Sequence, residues 1–156
     1  MLQVRSSRRS TAATTGGSEP SNYPAVRDGT IAEIDAGLTE SEWVARAVGR
    51  PAIKAFNSIT ASSLATRGLP VGSPGRVCLP VAGDEQDAKA RTIRMLEELG
   101  FDGLDAGSLA QSSRQQPGTA AYCSDLGVAE LRVTLAEPDP HGVARRRLRR
   151  RTPHGE

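Results

Sequence analysis

The sequence predicts an α/β fold in which a small parallel sheet is flanked by helices, and three observations predict it. Residues 76–107 (RVCLPVAGDEQDAKARTIRMLEELGFDGLDAG) read as one complete strand, helix and strand. A second strand-to-helix corner lies at PAIKAFNSI, residues 51–59. The apolar residues fall in short aliphatic runs, with only five aromatic side chains in 156 residues, which suits a layered core rather than an aromatic one.

Each element has its own local reason. Thr39 and Glu42 form a capping box for a helix over Glu40–Val48, in which Trp43, Val44, Ala47 and Val48 share one face and Gly49 is the stop. Residues 52–56 (AIKAF) form a short strand, and Ser58 caps a short helix reaching Ala65. The run GLPVGSPG over 68–75 is a linker. Val77, Cys78, Leu79 and Val81 make the next strand, and Asp84 is the N-cap of the strongest helix. Its inward face is Ala88, Thr92, Met95, Leu96 and Leu99, and Gly100 ends it. Residues 101–104 are a second strand leading into Asp105-Ala106-Gly107. A short helix over 109–113, a polar loop RQQPGTAAY and a last amphipathic helix over 125–137 carrying Val128, Leu131 and Leu135 complete the chain, with Pro138 and Pro140 beyond it.

Residues 1–20 hold Ser, Thr, Gly and Arg with few large apolar side chains, so the expectation is a disordered segment. Residues 138–156 form an Arg-rich tail with six arginines between Arg145 and Arg151, also expected to be disordered. The folded unit is therefore 21–137. Between Pro20 and Pro138 there are 11 basic and 15 acidic residues, a net of −4, so the body has no electrostatic case for nucleic acid and only the tail makes weak contacts of that kind. No run of about 18 apolar residues and no apolar leader is present, so no membrane partner is expected and the expected setting is cytoplasmic. Cys78 and Cys123 have no metal-type spacing; Cys78 reads as a small buried hydrophobe.

The motif reading narrows the chemistry. No G-x-G-x-x-G turn joins a strand to a helix, and no phosphate-binding P-loop exists, which disfavours an ATPase or kinase. Both histidines, His141 and His154, sit in the tail, so no Ser-His-Asp or Cys-His relay can be placed in the folded part and no catalytic residue or metal ligand is assigned. In a parallel sheet, Phe56-Asn57, Gly83-Asp84 and Asp105-Ala106-Gly107 lie along one edge, where open α/β folds bind ligands. Asn57 suits a planar amide such as nicotinamide, with helix entry as the other reading. Asp84 reads first as a cap, and Asp105 stands between turn residue and ligand contact.

Four blocks in order, PAIKAFNSI, LPVAGD (79–84), GFDGLDAGSLA (100–110) and RQQPGT (114–119), resemble the later half of the coenzyme F-420 dependent NADP oxidoreductases. Asn22-Tyr23-Pro24 and Arg27-Asp28-Gly29 resemble an earlier segment of that family, so the resemblance covers 22–135. It implies a Rossmann-like domain in which hydride passes between NADPH and a deazaflavin, the protein supplying alignment. It also implies that Asn22, Tyr23, Pro24, Ala55, Phe56 and Asn57 line the cofactor side, with Asp105, Ala106, Gly107 and Leu109 near the second ring or substrate. The family begins with a strand and glycine-rich turn that this sequence lacks, so the domain is expected to be truncated at its N-terminus, with doubtful activity. The rival readings are a noncatalytic α/β interaction module, including a homo-oligomer built through an open sheet edge, and a basic-tailed RNA-associated protein.

Overall fold

The computed structural model describes residues 17–19 and 31–137. The sheet has four strands in the order β1 (Gly17–Glu19), β2 (Ala52–Lys54), β3 (Cys78–Gly83) and β4 (Asp102–Asp105). Around it lie α1 (Ala32–Asp35), α2 (Glu40–Val48), α3 (Ala61–Thr66), α4 (Gln86–Glu98), a 3-10 helix (Leu109–Gln115) and α5 (Val128–Ala136). The α/β class and the flanking helices agree with the sequence reading. β1 pairs in parallel with β2, although residues up to 20 were expected to carry no structure. The other residues of the two terminal segments expected to be disordered lie outside the described residues.

β3 is the strand on which the layers are built. All six of its residues are buried, as a strand covered on both faces requires. Val77, Leu79 and Val81 point to one side, into a cluster with Ile53, Ala55, Ile59, Ala88, Leu96 and Phe101. Cys78 points to the other, against Ala121, Leu131 and Leu135. This period of two puts α4 on one face and α5 on the opposite one. The β3-α4-β4 unit is parallel, as expected, with Cys78 opposite Asp102 and Val81 opposite Asp105.

The direction of β2 corrects the all-parallel expectation. Ile53 faces Gly83 and Lys54 faces Ala82 in antiparallel register. A parallel pair needs a crossover, usually a helix laid on the sheet, but α3 has six residues and buries none of them. The chain therefore returns through the 68–75 linker to β3 without crossing a face. The linker is pinned where Leu69 N donates to Gly100 O at 2.9 Å. Gly100 has φ +92°, and a Cβ there would lie 2.8 Å from Gly68 Cα, so conformation and space both call for glycine. Arg76, 4% exposed, closes the same corner. Its guanidinium donates to the carbonyls of Glu97, Gly100 and Phe101 at 2.9 to 3.1 Å, satisfying acceptors left at the end of α4. Nη1 lies 3.4 Å from Asp102 as an ion pair without an aligned hydrogen bond.

Two helices depart in part from their predicted faces, although Ala88 and Leu96 of α4 are buried as expected. In α2 the Thr39–Glu42 capping box and the left-handed Gly49 stop form as expected, but Glu40 and Ser41 are the buried residues and Val48 is 64% exposed. In α4, Lys89 and Leu96 turn inward with Ala88, Ile93 packs on the core, and Met95 and Leu99 are exposed. In both cases a charged side chain near the helix start is drawn inside by a partner: Glu40 by Lys54 at 3.2 Å, and Lys89 by Asp105 at 2.8 Å. Two caps also differ. Thr60, not Ser58, caps α3 by accepting from Ser63 N at 3.1 Å, and the N-cap position of α4 is Glu85. The last helix starts at Val128, with Gly127 N held by Glu130 Oε2 at 3.1 Å.

Lys54 is fully enclosed and Glu40 nearly so. Lys54→Met alone strands the carboxylate, and we expect a loss of about 3–5 kcal/mol in urea unfolding. The double change Lys54→Met with Glu40→Met should recover most of it; a double variant as unstable as the single would mean the pair is not the cause. Cys78 is free and buried. Desolvation first, and then the Asp102 charge, push its thiol from 9.0 up to about 12, with Arg132 opposing. The unfolded thiol ionises first as pH rises, so the thiol favours the fold below pH 9 and that contribution is lost between 9.0 and about 12. Cys78→Ala should flatten the alkaline decline of the unfolding midpoint over that window.

Candidate functional site

The 3-10 helix is the element on which the candidate residues converge. Ser108 N donates to Gln111 Oε1 at 2.8 Å and starts it. Leu109 N donates to Asp84 Oδ1 at 3.1 Å, which holds its first residue beside the C-terminal end of β3. Gln115 Nε2 reaches Asn57 Oδ1 at 2.9 Å and, over longer distances, the carbonyls of Lys54 and Pro80. The 3-10 helix therefore runs from the β3 end, past the middle of that strand, to the end of β2.

At the β2 end, Asn57 Nδ2 donates to Gln115 O at 2.5 Å, so the two residues form a reciprocal pair. Asn57 is 3% exposed and Gln115 is fully enclosed. The amide orientation of Gln115 follows from its surroundings, because Nε2 faces three oxygens. Its Oε1 is buried without a partner, as is Ser112 Oγ. Thr39 Oγ1 lies 3.4 Å from Leu109 O, tying the start of α2 to the same helix. Thr39, Glu40, Ser41, Lys54, Asn57, Ser58, Ser112, Ser113 and Gln115 are all buried, a polar layer between α2, β2 and the 3-10 helix. Phe56, just before the pair, has a left-handed backbone at φ +63°, an uncommon conformation for a bulky residue.

At the β4 end, Asp105 accepts from Lys89 Nζ at 2.8 and 2.9 Å and from Gly107 N at 2.8 Å. Gly83 N donates to Gly107 O at 3.0 Å, locking the two loops together. Gly107 has φ +94°, and any Cβ would run into the Gln111 side chain.

Of the sequence-selected residues, Asp105, Ala106 and Gly107 are at least partly exposed, and Phe56 is half-buried. Ala55, Asn57 and Leu109 are closed off from solvent. Asn22, Tyr23 and Pro24 lie outside the described residues. The antiparallel β2 also overturns the single-edge arrangement. Phe56-Asn57 extends past Lys54 toward the middle of β3, whereas Asp105-Ala106-Gly107 is beside its C-terminal end, and the 3-10 helix spans the two. Asp84 is a tie to Leu109 rather than a cap, and Asp105 is an ion-paired turn residue. Sequence reasoning passed over Gln115, Lys54, Glu40 and Lys89. The signal for Lys54 was a lone cation inside an apolar strand; Gln115 lay in a block read as a polar loop.

A dinucleotide pyrophosphate finds no cradle among the described residues. The β3-to-α4 corner presents Glu85 and Asp87 at the helix start, charges that repel a phosphate where a binding loop presents bare N–H groups. No group of three or more His, Cys, Asp or Glu suited to a metal ion occurs among the described residues. None of their helices is long and apolar enough to cross a membrane.

No protein-family model matches the chain. It is 44% identical over 63 residues to "Putative protein YjhV" of Escherichia coli (strain K12), covering 40% of this chain and 46% of that protein. Its structure superposes on that of hypothetical protein SMa0349 from Sinorhizobium meliloti with a TM-score of 0.60 at 28% identity, over 74% of this chain and 57% of the other. A "putative f420 dependent nadp-reductase" from Arthrobacter sp. FB24 overlaps with a TM-score of 0.39 at 28% identity, over 47% of this chain and 33% of the other, too slight a likeness to carry an argument. The chain spans about half the length of the first two relatives. The likeness to SMa0349 supports a Rossmann-like α/β fold.

Gln115→Ala leaves the buried oxygen of Asn57 without its best donor and should cost about 1–3 kcal/mol in urea unfolding. Gln115→Glu sets a carboxylate against three oxygens and should cost more. A variant as stable as the parent would show that the pair is not closed in solution.

Proposed function

We propose that this chain carries the ring-facing part of an NAD(P)-dependent oxidoreductase, in which hydride passes between NADPH and a deazaflavin such as coenzyme F-420. One observation carries the reading: the four blocks that resemble that family, separate in sequence, meet at the 3-10 helix. AFN contributes Asn57 to Gln115 of RQQPGT, and the Asp84 of LPVAGD holds Leu109 of GLDAGSLA. Phe56 and Asp105-Ala106-Gly107 are the accessible surfaces for planar rings. Ala55, Asn57 and Leu109 support them from behind, and Asn22, Tyr23 and Pro24 are assigned to the nicotinamide side by resemblance. Alignment is the chemistry such a site supplies, since the cofactors themselves exchange the hydride. On this reading the described residues orient planar groups rather than hold a whole dinucleotide, because the acidic β3-to-α4 corner is unsuited to a pyrophosphate.

That mismatch favours a second reading, a noncatalytic α/β module that associates with itself or another chain. NADPH titration followed by cofactor fluorescence separates the two. On the oxidoreductase reading, binding is saturable and weak, about millimolar, because the phosphate contacts are unsupplied; added deazaflavin then loses absorbance as hydride transfers. No detectable binding at millimolar NADPH overturns it, and a dimer mass by light scattering in the same sample supports the module.

A further inference from the structure

Residues 116–127 connect the 3-10 helix to α5 with no helix or strand of their own, and Ala121 is the one buried side chain among them. The segment begins beside Gln115 and is tied back next to Asn57, where Cys123 N donates to Ser58 O at 2.8 Å. It thus loops around the amide pair. A second tie is Asp125, whose Oδ2 accepts from Ser63 Oγ at 2.6 Å and from Arg67 Nη1 at 3.1 Å, and a third is Leu126, whose carbonyl accepts from Cys78 N at 2.8 Å. This latch is incomplete: Asp125 Oδ1 is enclosed without a partner, and the Arg67 side chain is 48% exposed. The segment is also strained, with left-handed backbones at Cys123 (φ +51°) and Asp125 (φ +48°). Behind it, Ala121 packs against Cys78. Beneath it, the enclosed and unpartnered Oε1 of Gln115 is an acceptor that lacks a donor.

We propose that residues 116–127 form a strap, latched to α3 through Asp125, that opens without global unfolding and admits water or a small hydrogen-bond donor to the Asn57–Gln115 pair. Strain favours opening; the apolar contacts of Ala121 and Leu126, the Cys78–Leu126 backbone bond and the Asp125 latch oppose it, and the half-exposed ion pair makes the balance sensitive to salt. The device does not depend on which cofactor the chain binds.

In a Cys123→Ser background, peptide-resolved alkylation of Cys78 by N-ethylmaleimide reads strap opening, because Cys78 is 3% exposed and is covered by Ala121 of the strap together with Leu131 and Leu135 of α5. In native buffer the labelling rate should depend only weakly on urea and rise with added salt. Asp125→Gly removes the latch and at the same time relieves the left-handed strain at that position. It should speed labelling about tenfold, the population change for losing one charge-assisted hydrogen bond. If strain rather than the latch governs the strap, Asp125→Gly slows labelling and the proposal fails. It also fails if Cys78 reacts only with the full urea dependence of global unfolding. Where Asp125→Gly does not fold, Arg67→Ala tests the latch from its exposed side: faster labelling at an unchanged urea midpoint supports the strap, and unchanged labelling overturns it.

Discussion

A lysine with no solvent exposure sits in β2, and much of the molecule is arranged around its charge. Lys54 lies one residue from Ile53, in a strand buried along its whole length. An isolated ammonium there is costly, so the first turn of α2 brings Glu40 to it. With Glu40 inward, Trp43 and Val44 are half-buried, Val48 is exposed, and the N-cap Thr39 sits beside Leu109. The carbonyl of Lys54 meanwhile faces Gln115. One buried cation thus relates α2, β2 and the 3-10 helix, the three walls of the polar layer.

The same logic recurs on the other side of the sheet. Lys89 enters from α4 to hold Asp105, Asp105 holds Gly107, and Gly107 closes on Gly83. The ends of β3 and β4 are therefore a locked pair of loops, with Asp105 as their exposed member. The β2 end is built differently, from amide pairing and an uncommon backbone at Phe56. An ion-paired corner and an enclosed amide corner are joined by one short helix.

The legible parts were those with a local cause. The Thr39–Glu42 box, the Gly49 and Gly100 stops, and the alternation through Val77, Leu79 and Val81 each arise within a few residues, so one segment carries the whole signal. The illegible parts depend on partners far along the chain. Asp84 looked like a cap because its sequence neighbours open a helix, yet its carboxylate serves Leu109, 25 residues on. Met95 and Leu99 belonged to an inward face by pattern, but they are exposed while Ala88 and Leu96 of the same face are buried, and Lys89 is enclosed against Asp105.

By itself, then, the sequence determined the elements from Glu40 onward, their order and the parallel β3-α4-β4 unit, because hydrophobic period and capping act over one or two turns; β1 and α1 were not among them. Only the tertiary structure decided that β2 runs against β3, that Asn57 is closed by Gln115, and that Cys123 is tied back to Ser58. Those outcomes rest on balancing buried charges and hydrogen bonds between segments remote in sequence, and no local pattern encodes the identity of a distant partner.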